Sequence, residues 1–150
     1  MLLFYDTQIK IETKNFIFQR SDSNHVTKVL RKKSGDEIKI TDGKGLEWTG
    51  KLTVITSQKT CAEKIKVFKH ARPNKLIHLA IAPTKSNERM EWLVEKLTEL
   101  GINSITPIIC EHSERKVIKT ERLKKICISA LKQSNQFFLP EIKPIIYFKE

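Results

Sequence analysis

The order of apolar runs in the second half of the chain constrains its fold more than any other feature. Two runs of strand length, residues 75–83 (KLIHLAIAP) and residues 103–110 (NSITPIIC), flank a segment from Asn87 to Leu100 whose apolar residues recur at helical spacing. Gly101 follows this segment at a position where helices commonly end. The order predicts a βαβ unit, in which a right-handed crossover helix joins two parallel strands.

A second helix and a third strand continue the pattern. The helix begins at about Thr120 and carries an apolar stripe that includes Cys127, and a strand begins within residues 139–148 (LPEIKPIIYF). Three parallel strands with two helices make about half of a doubly wound sheet, and parallel sheets are covered on both faces. We therefore expect the α/β domain, residues 73–150, to be incomplete, so that further chain or a partner supplies the missing layer.

The first of these helices has two different sides. Its apolar side, which we expect to face the core, consists of Met90, Leu93, Val94, Leu97 and Leu100. Trp92 lies on the opposite side among charged residues. We expect Trp92 to pack on a partner or on further chain, and simple exposure to solvent is the alternative.

The first 72 residues have the pattern of an all-β accessory domain. Short segments with alternating β-branched and aromatic residues, among them DEIKI, LEWTGKLTVI and EKIKVFK, are separated by turns such as TDGKG. This pattern predicts a small barrel of meandering antiparallel strands, interrupted by one short helix near Val26. The segment HARPNK indicates a linker, so we place the domains at residues 1–72 and 73–150.

The charge of the chain favours an anionic partner. The net charge is +11 and the pI is about 9.7. Residues 1–74 contain 15 Lys and Arg against 8 Asp and Glu, whereas residues 75–150 contain 13 against 9. Nucleic acid is a more common partner for such a protein than a membrane surface. Phe16, Phe18 and Trp48 could stack on bases, although aromatic residues that alternate along strands are more often core residues.

The cysteines and the N-terminus indicate a protein of a reducing compartment. The three cysteines are widely spaced and form no CxxC pair, so they suggest neither a disulfide framework nor a zinc site, and we expect no bound metal. The N-terminus has too short an apolar run for a signal peptide, and no segment approaches the roughly 20 apolar residues of a membrane span. We expect a cytoplasmic protein without a membrane partner.

Two loops follow the first two strands of the predicted α/β domain. Ligands of open α/β sheets gather at the carboxyl ends of the strands, so these loops are candidates for a site. Their polar residues are Lys85, Arg89, Glu111, His112, Ser113 and Arg115. The predicted helix N-terminus at Ser86 or Asn87 adds a positive dipole end, which suits phosphate or a developing anion. Ordinary solvated loop charges remain an equally good interpretation.

The combination and spacing of three segments resembles the RsmE-type methyltransferases of the SPOUT superfamily. The first segment is an H-x3-VLR-x3-GD run, which begins at His25. The second is a K-x9-EK-x2-ELG run, which begins at Lys85. The third is the Ser113 to Arg115 loop with the later Gln133. The resemblance extends over nearly all of the chain.

The resemblance implies a fold and a function. The fold is a PUA-like β-barrel that grips RNA, followed by the first half of a knotted SPOUT methyltransferase domain. The function is S-adenosylmethionine-dependent methylation of N3 of one uridine in 16S ribosomal RNA, near the decoding region of the small subunit, by a homodimer. The glycine-rich loop that cradles the cofactor in such proteins has no counterpart in these residues, so we expect no cofactor-binding residue within this chain.

The resemblance also suggests roles for individual residues. Lys85 and Arg115 are candidates for stabilising negative charge on the uracil, and Glu111 or Glu99 for accepting a proton or orienting the base. The candidate RNA-binding residues are Arg20, His25, Lys28, Arg31, Lys32, Arg89, Ser113 and Gln133.

Two other functions stay open. One is a non-catalytic RNA-binding module, which the missing cofactor loop favours. The other is an unrelated α/β enzyme with a basic accessory barrel, which predicts no affinity for RNA.

Overall fold

The computed structural model describes residues 3–56 and 58–148. The chain forms two compact units, Met1–Ala71 and Arg72–Glu150. The predicted order, a β domain followed by an α/β portion, is confirmed. Each unit has its own hydrophobic core.

The first unit is built on a curled, five-stranded half-barrel sheet. Its strands are β1 (Leu3–Tyr5), β2 (Asn15–Ile17), β3 (Glu37–Thr41), β4 (Leu46–Ile55) and β5 (Thr60–Lys69). They lie in the order β1-β3-β4-β5-β2. All neighbouring pairs are antiparallel except β1 and β3, which are parallel. The predicted meander therefore corresponds to β3, β4 and β5, and β1 and β2 lie at the two edges.

Trp48 lies at the centre of the first core. Its side chain is fully buried, and its indole Nε1 donates a hydrogen bond to the carbonyl oxygen of Thr13 at 2.9 Å. Phe18 is also buried, and Phe16 packs edge-on against it with ring centroids 4.9 Å apart. These three aromatic residues thus belong to the core, which is the second of the two interpretations of their pattern.

A bulge between β4 and β5 changes which side chains face the core. Thr49 pairs with Lys66 and Gly50 pairs with Lys64, so Ile65 has no opposite residue. Because side chains alternate along a strand, one extra residue reverses the alternation beyond it. Ala62 faces the core before the bulge, and Val67 faces it after the bulge.

The short helix of the first unit consists of α1 (Arg20–Asn24) and a continuing π-helical turn (His25–Val29). Its buried side presents Ser23 and Val26 to the sheet. The Ser23 hydroxyl oxygen accepts a hydrogen bond from the Thr60 amide at 3.1 Å, which fixes the helix near the start of β5.

The second unit contains a parallel sheet with β7 (Ser104–Ile109) at its centre. The other elements are β6 (His78–Ile81), α2 (Asn87–Glu99), α3 (Thr120–Ser134), β8 (Glu141–Ile142) and β9 (Ile146–Tyr147). β6 pairs with β7, and β8 and β9 pair with successive parts of β7. The βαβ prediction therefore corresponds to β6, α2 and β7. The predicted third strand is present in two pieces, because Pro144 has no amide hydrogen for strand pairing.

The two helices cover one face of this sheet. Buried residues of α2 and α3, including Val94 and Cys127, form one cluster with Ile105 of β7, against which Leu79 and Ile81 of β6 pack. On the other side of β6, His78 and Ala80 are exposed. Large apolar side chains that are more than half exposed in and beside the strands are Leu76, Ile77, Ile146, Tyr147 and Phe148. A second covering layer stays a prediction.

One residue of α2 differs from its predicted position. Leu100 was expected in the apolar stripe, but its side chain is 83% exposed because it is the C-cap, where the chain leaves the helix through Gly101 at φ +81°. Trp92 is 62% exposed within this chain. Throughout residues 3–56 and 58–148, no helix has both the length and the apolar character needed to span a membrane.

Candidate functional site

An open depression of about 320 Å³ lies where β6 and β7 end. Its lining residues are Ala82, Pro83, Lys85, Cys110, His112, Ser113 and Glu114. Because β6 and β7 are neighbouring parallel strands, the loops that follow them emerge at the same edge of the sheet. The structure thus brings together the two loops that carry Lys85, Glu111, Ser113 and Arg115.

Lys85 stands at the rim of this depression in an exposed ion pair. Its ammonium Nζ lies 2.7 Å from Oε1 of Glu114, and the two side chains are 79% and 59% exposed. An exposed ion pair of this kind contributes little to stability. Lys85 can therefore exchange its ion pair with Glu114 for one with an anionic ligand in the depression. Glu114 is a partner of Lys85 that the sequence did not single out.

Arg115 connects the two loops. Its guanidinium donates to the carbonyl oxygen of Val117 at 3.2 Å, to the carbonyl oxygen of Thr84 at 3.4 Å and to Oδ1 of Asn87. These contacts hold the loop after β7 against the start of α2. The geometry therefore gives Arg115 a role in positioning the loop, and Asn87 is a partner that the sequence identified only as a possible helix cap.

A tight turn forms the loop between Cys110 and Arg115. The Ser113 hydroxyl oxygen accepts from the Cys110 amide at 2.8 Å, and the Ser113 amide donates to the Cys110 carbonyl oxygen at 3.0 Å. Ser113 is thus occupied in shaping the turn. Glu111 and His112 are exposed at its tip, and of the two only His112 lines the depression.

The N-terminus of α2 lies beside the same loops. Ser86 is its N-cap, and its hydroxyl oxygen accepts from the Arg89 amide at 3.4 Å. The Arg89 side chain is exposed in the first turn. This end of the helix carries the positive end of its dipole, which adds to the charges of Lys85 and Arg115 in favouring an anion.

Gln133 lies away from these loops. It is near the C-terminus of α3, in a groove that it shares with Glu95, Glu99 and Ser129. At 1.5 Å per residue, the 13 residues from Thr120 place it about 20 Å along the helix from the Arg115 end. The structure therefore separates Gln133 from Lys85, Arg115 and Ser113.

Lys96 lies beside Glu95 and Glu99, the two residues of α2 that share the groove with Gln133. Its ammonium lies 2.9 Å from Oε1 of Glu95 and 2.9 Å from Oε1 of Glu99. The hydrogen bonds to Glu95 and then to Glu99 raise the pKa of Lys96 above its ordinary value. Glu99, which was an alternative candidate for proton transfer, is thus paired with Lys96 at the end of α2 opposite the loops.

The basic residues of the first unit lie on and after its short helix. Arg20, His25, Lys28 and Arg31 are exposed. Arg31 adopts a left-handed backbone conformation with φ 49°, which is rare for residues other than glycine. The turn thereby ends the helix and presents the side chain of Arg31 to solvent.

Lys32 differs from these residues because it is partly buried and paired. Its ammonium lies 3.7 Å from the Asp36 carboxylate. A hydrogen bond from the Lys33 amide is the largest cause that lowers the pKa of Asp36, and the charge of Lys32 adds to it. Asp36 thus closes the turn after the helix and stays ionised.

The residues present do not by themselves fit S-adenosylmethionine. Ligand sites bury most of the surface of their ligand, whereas the depression beside Lys85 is open to solvent. Within the described ranges, no group of three or more His, Cys, Asp or Glu side chains is arranged to hold a metal ion. The site can therefore present positive charge to an anion, but these residues do not enclose a cofactor.

The two units match two family models. A model described as RNA methyltransferase PUA domain matches residues 18–65, and one described as RNA methyltransferase domain matches residues 71–150, which is more than half of the chain. The chain belongs to the RNA methyltransferase family.

Individual relatives place the chain more closely within this family. A protein of Buchnera aphidicola subsp. Acyrthosiphon pisum named ribosomal RNA small subunit methyltransferase E is 32% identical over 141 residues, which cover 89% of this chain and 55% of that protein. The Bacillus subtilis protein of the same name is 23% identical over 145 residues, which cover 93% of this chain and 57% of that protein. The predicted resemblance to the RsmE type is confirmed.

Solved structures of this methyltransferase family are similar to this chain over almost all of its length. A probable rRNA-methyltransferase from Porphyromonas gingivalis is 36% identical with a TM-score of 0.86, and the match covers 98% of this chain and 61% of that one. A ribosomal RNA small subunit methyltransferase E from Neisseria gonorrhoeae bound to S-adenosyl methionine is 27% identical with a TM-score of 0.80, covering 98% and 62%. The chain spans slightly more than half the length of these relatives.

Proposed function

We propose that this chain forms the RNA-binding part and the substrate side of the active site of an S-adenosylmethionine-dependent enzyme that methylates N3 of a uridine in 16S ribosomal RNA. The observation that carries the proposal is the position of Lys85 and Arg115, which lie on two neighbouring loops at the carboxyl edge of a sheet in a methyltransferase domain. The names of the relatives support ribosomal RNA as the substrate and S-adenosylmethionine as the cofactor.

The chemistry of uridine explains the need for positive charge at this edge. N3 of uracil carries an imide proton, which must leave before or while the nitrogen lone pair accepts a methyl group. Negative charge then develops on the ring and its carbonyl oxygens. A positioned cation stabilises such charge. Lys85 supplies this cation when it exchanges Glu114 for the uracil, and the cofactor supplies the electrophilic methyl group.

Arg115 and Ser113 keep the loop in place for this step. Arg115 holds the loop to Thr84 and Asn87, and Ser113 closes its turn. A loop held in this way keeps His112 and Glu114 at a fixed distance from Lys85, as the orientation of reacting groups requires. Glu111, the candidate proton acceptor, lies exposed at the tip of the same turn.

The first unit provides affinity for the RNA backbone. Arg20, His25, Lys28 and Arg31 are exposed on one helix and the turn that follows it, and Lys32 lies beside them. Phosphate contacts of this kind give affinity without sequence preference. Arg89, Ser113 and Gln133 are the corresponding candidates in the second unit. We further propose that a homodimer forms through the second unit, in which the exposed Trp92 has a place at an interface.

Substitution of Lys85 tests the catalytic assignment. Lys85→Ala and Arg115→Ala, made in the enzyme that carries the remaining part of its relatives' length, should reduce methylation of 16S RNA much more than affinity for it. Lys116→Ala is the matched control, since Lys116 is an exposed lysine of the same loop that does not line the depression. An equal loss of affinity and turnover would show that Lys85 only binds RNA.

A non-catalytic RNA-binding module is the second candidate function. It is favoured by the open depression, which does not enclose a cofactor. Isothermal titration with S-adenosylmethionine of the enzyme that carries the remaining part of its relatives' length separates the two candidates. Heat of binding would favour a catalytic chain, whereas silence together with intact RNA binding would favour the module.

A further inference from the structure

The outer surface of the first unit carries an exposed aromatic ring near the end of β5. Phe68 is 59% exposed, although Ala62 and Val67 of the same strand face the core. The bulge at Ile65 explains this position, because it reverses the alternation and turns Val67 inward and Phe68 outward. Phe68 is therefore displayed by the backbone of a long central strand and not by a loose loop.

The neighbours of Phe68 hold its ring in place. The imidazole of His70 lies edge-on to it, with ring centroids 4.7 Å apart and an interplanar angle of 78°. Nε2 of His70 is 2.7 Å from Oε2 of Glu47, and Oε1 of Glu47 is 2.6 Å from the ammonium of Lys39. The Phe68 ring thus rests on one side against His70, which is linked through Glu47 to Lys39 by a hydrogen bond and an ion pair. Most of the surface of the ring is exposed to solvent.

The charge around this ring is predominantly positive. Lys66 is exposed two residues before Phe68 and so lies on the same face of the sheet. Thr49 of β4 pairs with Lys39 of β3 on one side and with Lys66 of β5 on the other, so the two lysines lie in one row across the sheet. One carboxylate, that of Glu47, lies on the neighbouring strand opposite Phe68. It is paired with Lys39 and His70. This face therefore fits a negatively charged partner better than a positively charged one.

We infer that Phe68 stacks on an unpaired RNA base, with Lys66 and Lys39 beside the adjoining phosphates. The inference rests on the proposed RNA-binding function and names a contact within it. Exposed aromatic rings on a sheet, flanked by cations, bind single-stranded nucleic acid because every base has a face on which to stack. A protein partner is the poorer fit, because lysine is depleted in protein interfaces.

This contact is separate from the basic helix of the first unit. Ser23 fixes that helix to Thr60 at the start of β5, and Phe68 lies eight residues further along the strand. At about 3.3 Å per residue the two surfaces are roughly 26 Å apart. An RNA strand that touches both must therefore run along the first unit for the length of β5.

Fluorescence anisotropy with a labelled 12-nucleotide oligouridylate tests the inference on the complete 150-residue chain. Phe68→Ala should weaken binding by about 5- to 150-fold, the usual effect of losing one stacked base. Phe68→Trp should retain binding. A ribose-phosphate strand of the same length without bases should bind wild type and Phe68→Ala equally, because only phosphate contacts remain. Ile17→Ala, which changes another exposed apolar residue of this unit, is the matched control.

Each outcome decides between the alternatives. Equal affinity of Phe68→Ala and wild type for oligouridylate, with unchanged thermal melting, would overturn the stacking role while leaving the RNA function intact. A changed monomer–dimer equilibrium of Phe68→Ala at unchanged RNA affinity would assign the ring to a protein contact and also overturn the inference. Failure of wild type to bind either strand would overturn the proposed RNA function itself.

Discussion

The role of Arg115 gives the most detailed prediction. Its guanidinium makes three hydrogen bonds, to Val117, Thr84 and Asn87. A typical intramolecular hydrogen bond contributes about 0.5–1.5 kcal/mol net, and these bonds are largely exposed, so together they stabilise the closed loop by about 1.5–3 kcal/mol. Arg115→Ala should raise the open population of the loop by about 10- to 150-fold.

Hydrogen exchange of individual amides measures this change. The amides of Cys110 and Ser113 are bonded within the turn, so their exchange requires the loop to open. Both should exchange faster in Arg115→Ala by the factor given above. Arg115→Lys should behave almost like Ala, because one ammonium cannot reach acceptors in three directions.

Two further variants separate loop positioning from charge. Asn87→Ala removes one of the three bonds and should accelerate exchange about fivefold, which corresponds to about 1 kcal/mol. Lys116→Ala removes an exposed charge from the same loop and should leave exchange unchanged. If Arg115→Ala protects the Cys110 and Ser113 amides as well as wild type does, the reasoning is refuted and Arg115 does not hold the loop.

Two more predictions concern the first unit. A methyl group on Gly50 would overlap the buried ring of Trp48. Gly50→Ala should therefore lower the thermal midpoint by about 5–20 °C, because overpacking costs about 1–3 kcal/mol in a small domain. A midpoint within about 2 °C of wild type would contradict this packing. Burial raises the pKa of the Glu47 carboxyl, but hydrogen bonds from Lys39 and His70 outweigh it and leave the pKa below its ordinary value. Glu47 therefore adds stability above its unfolded pKa that is lost as the pH falls below about 4.5. Urea midpoints between pH 3 and pH 6 should fall less steeply for Glu47→Gln, and identical slopes would count against the pairing.

The sequence was sufficient to predict the arrangement of the second unit. The apolar runs around α2 have strand length, and the stripe of α2 has helical spacing, so β6, α2 and β7 follow directly from periodicity. The third strand was predicted as one element, but Pro144 divides it into β8 and β9. Leu100 was assigned to the core from its spacing alone, although the helix ends at that residue and no longer holds the side chain inward.

The first unit shows where periodicity is insufficient. From Thr60 and Ala62, regular alternation would turn Phe68 toward the core, and only the bulge at Ile65 reverses it. A bulge depends on the pairing of two strands and is therefore not visible in one of them. The parallel pairing of β1 with β3 is likewise a contact between segments distant in sequence.

Only part of the candidate site could be predicted, because its contacts also join segments that are distant in sequence. The loops after β6 and β7 could be placed together because parallel strands end at a common edge. The individual bonds could not be predicted, because Lys85 and Glu114, or Arg115 and Asn87, meet through side-chain geometry that spacing does not specify. Gln133 was grouped with these loops by resemblance, and the length of α3 separates it from them.

The uncovered side of the parallel sheet affects how this chain behaves in solution. Leu76, Ile77 and Ile146 offer apolar surface to water, which favours self-association as protein concentration rises. The net charge of +11 opposes that tendency by mutual repulsion, and added salt screens the repulsion. Monodisperse samples are therefore expected in dilute, low-salt buffer, which is also where binding to a polyanion is strongest.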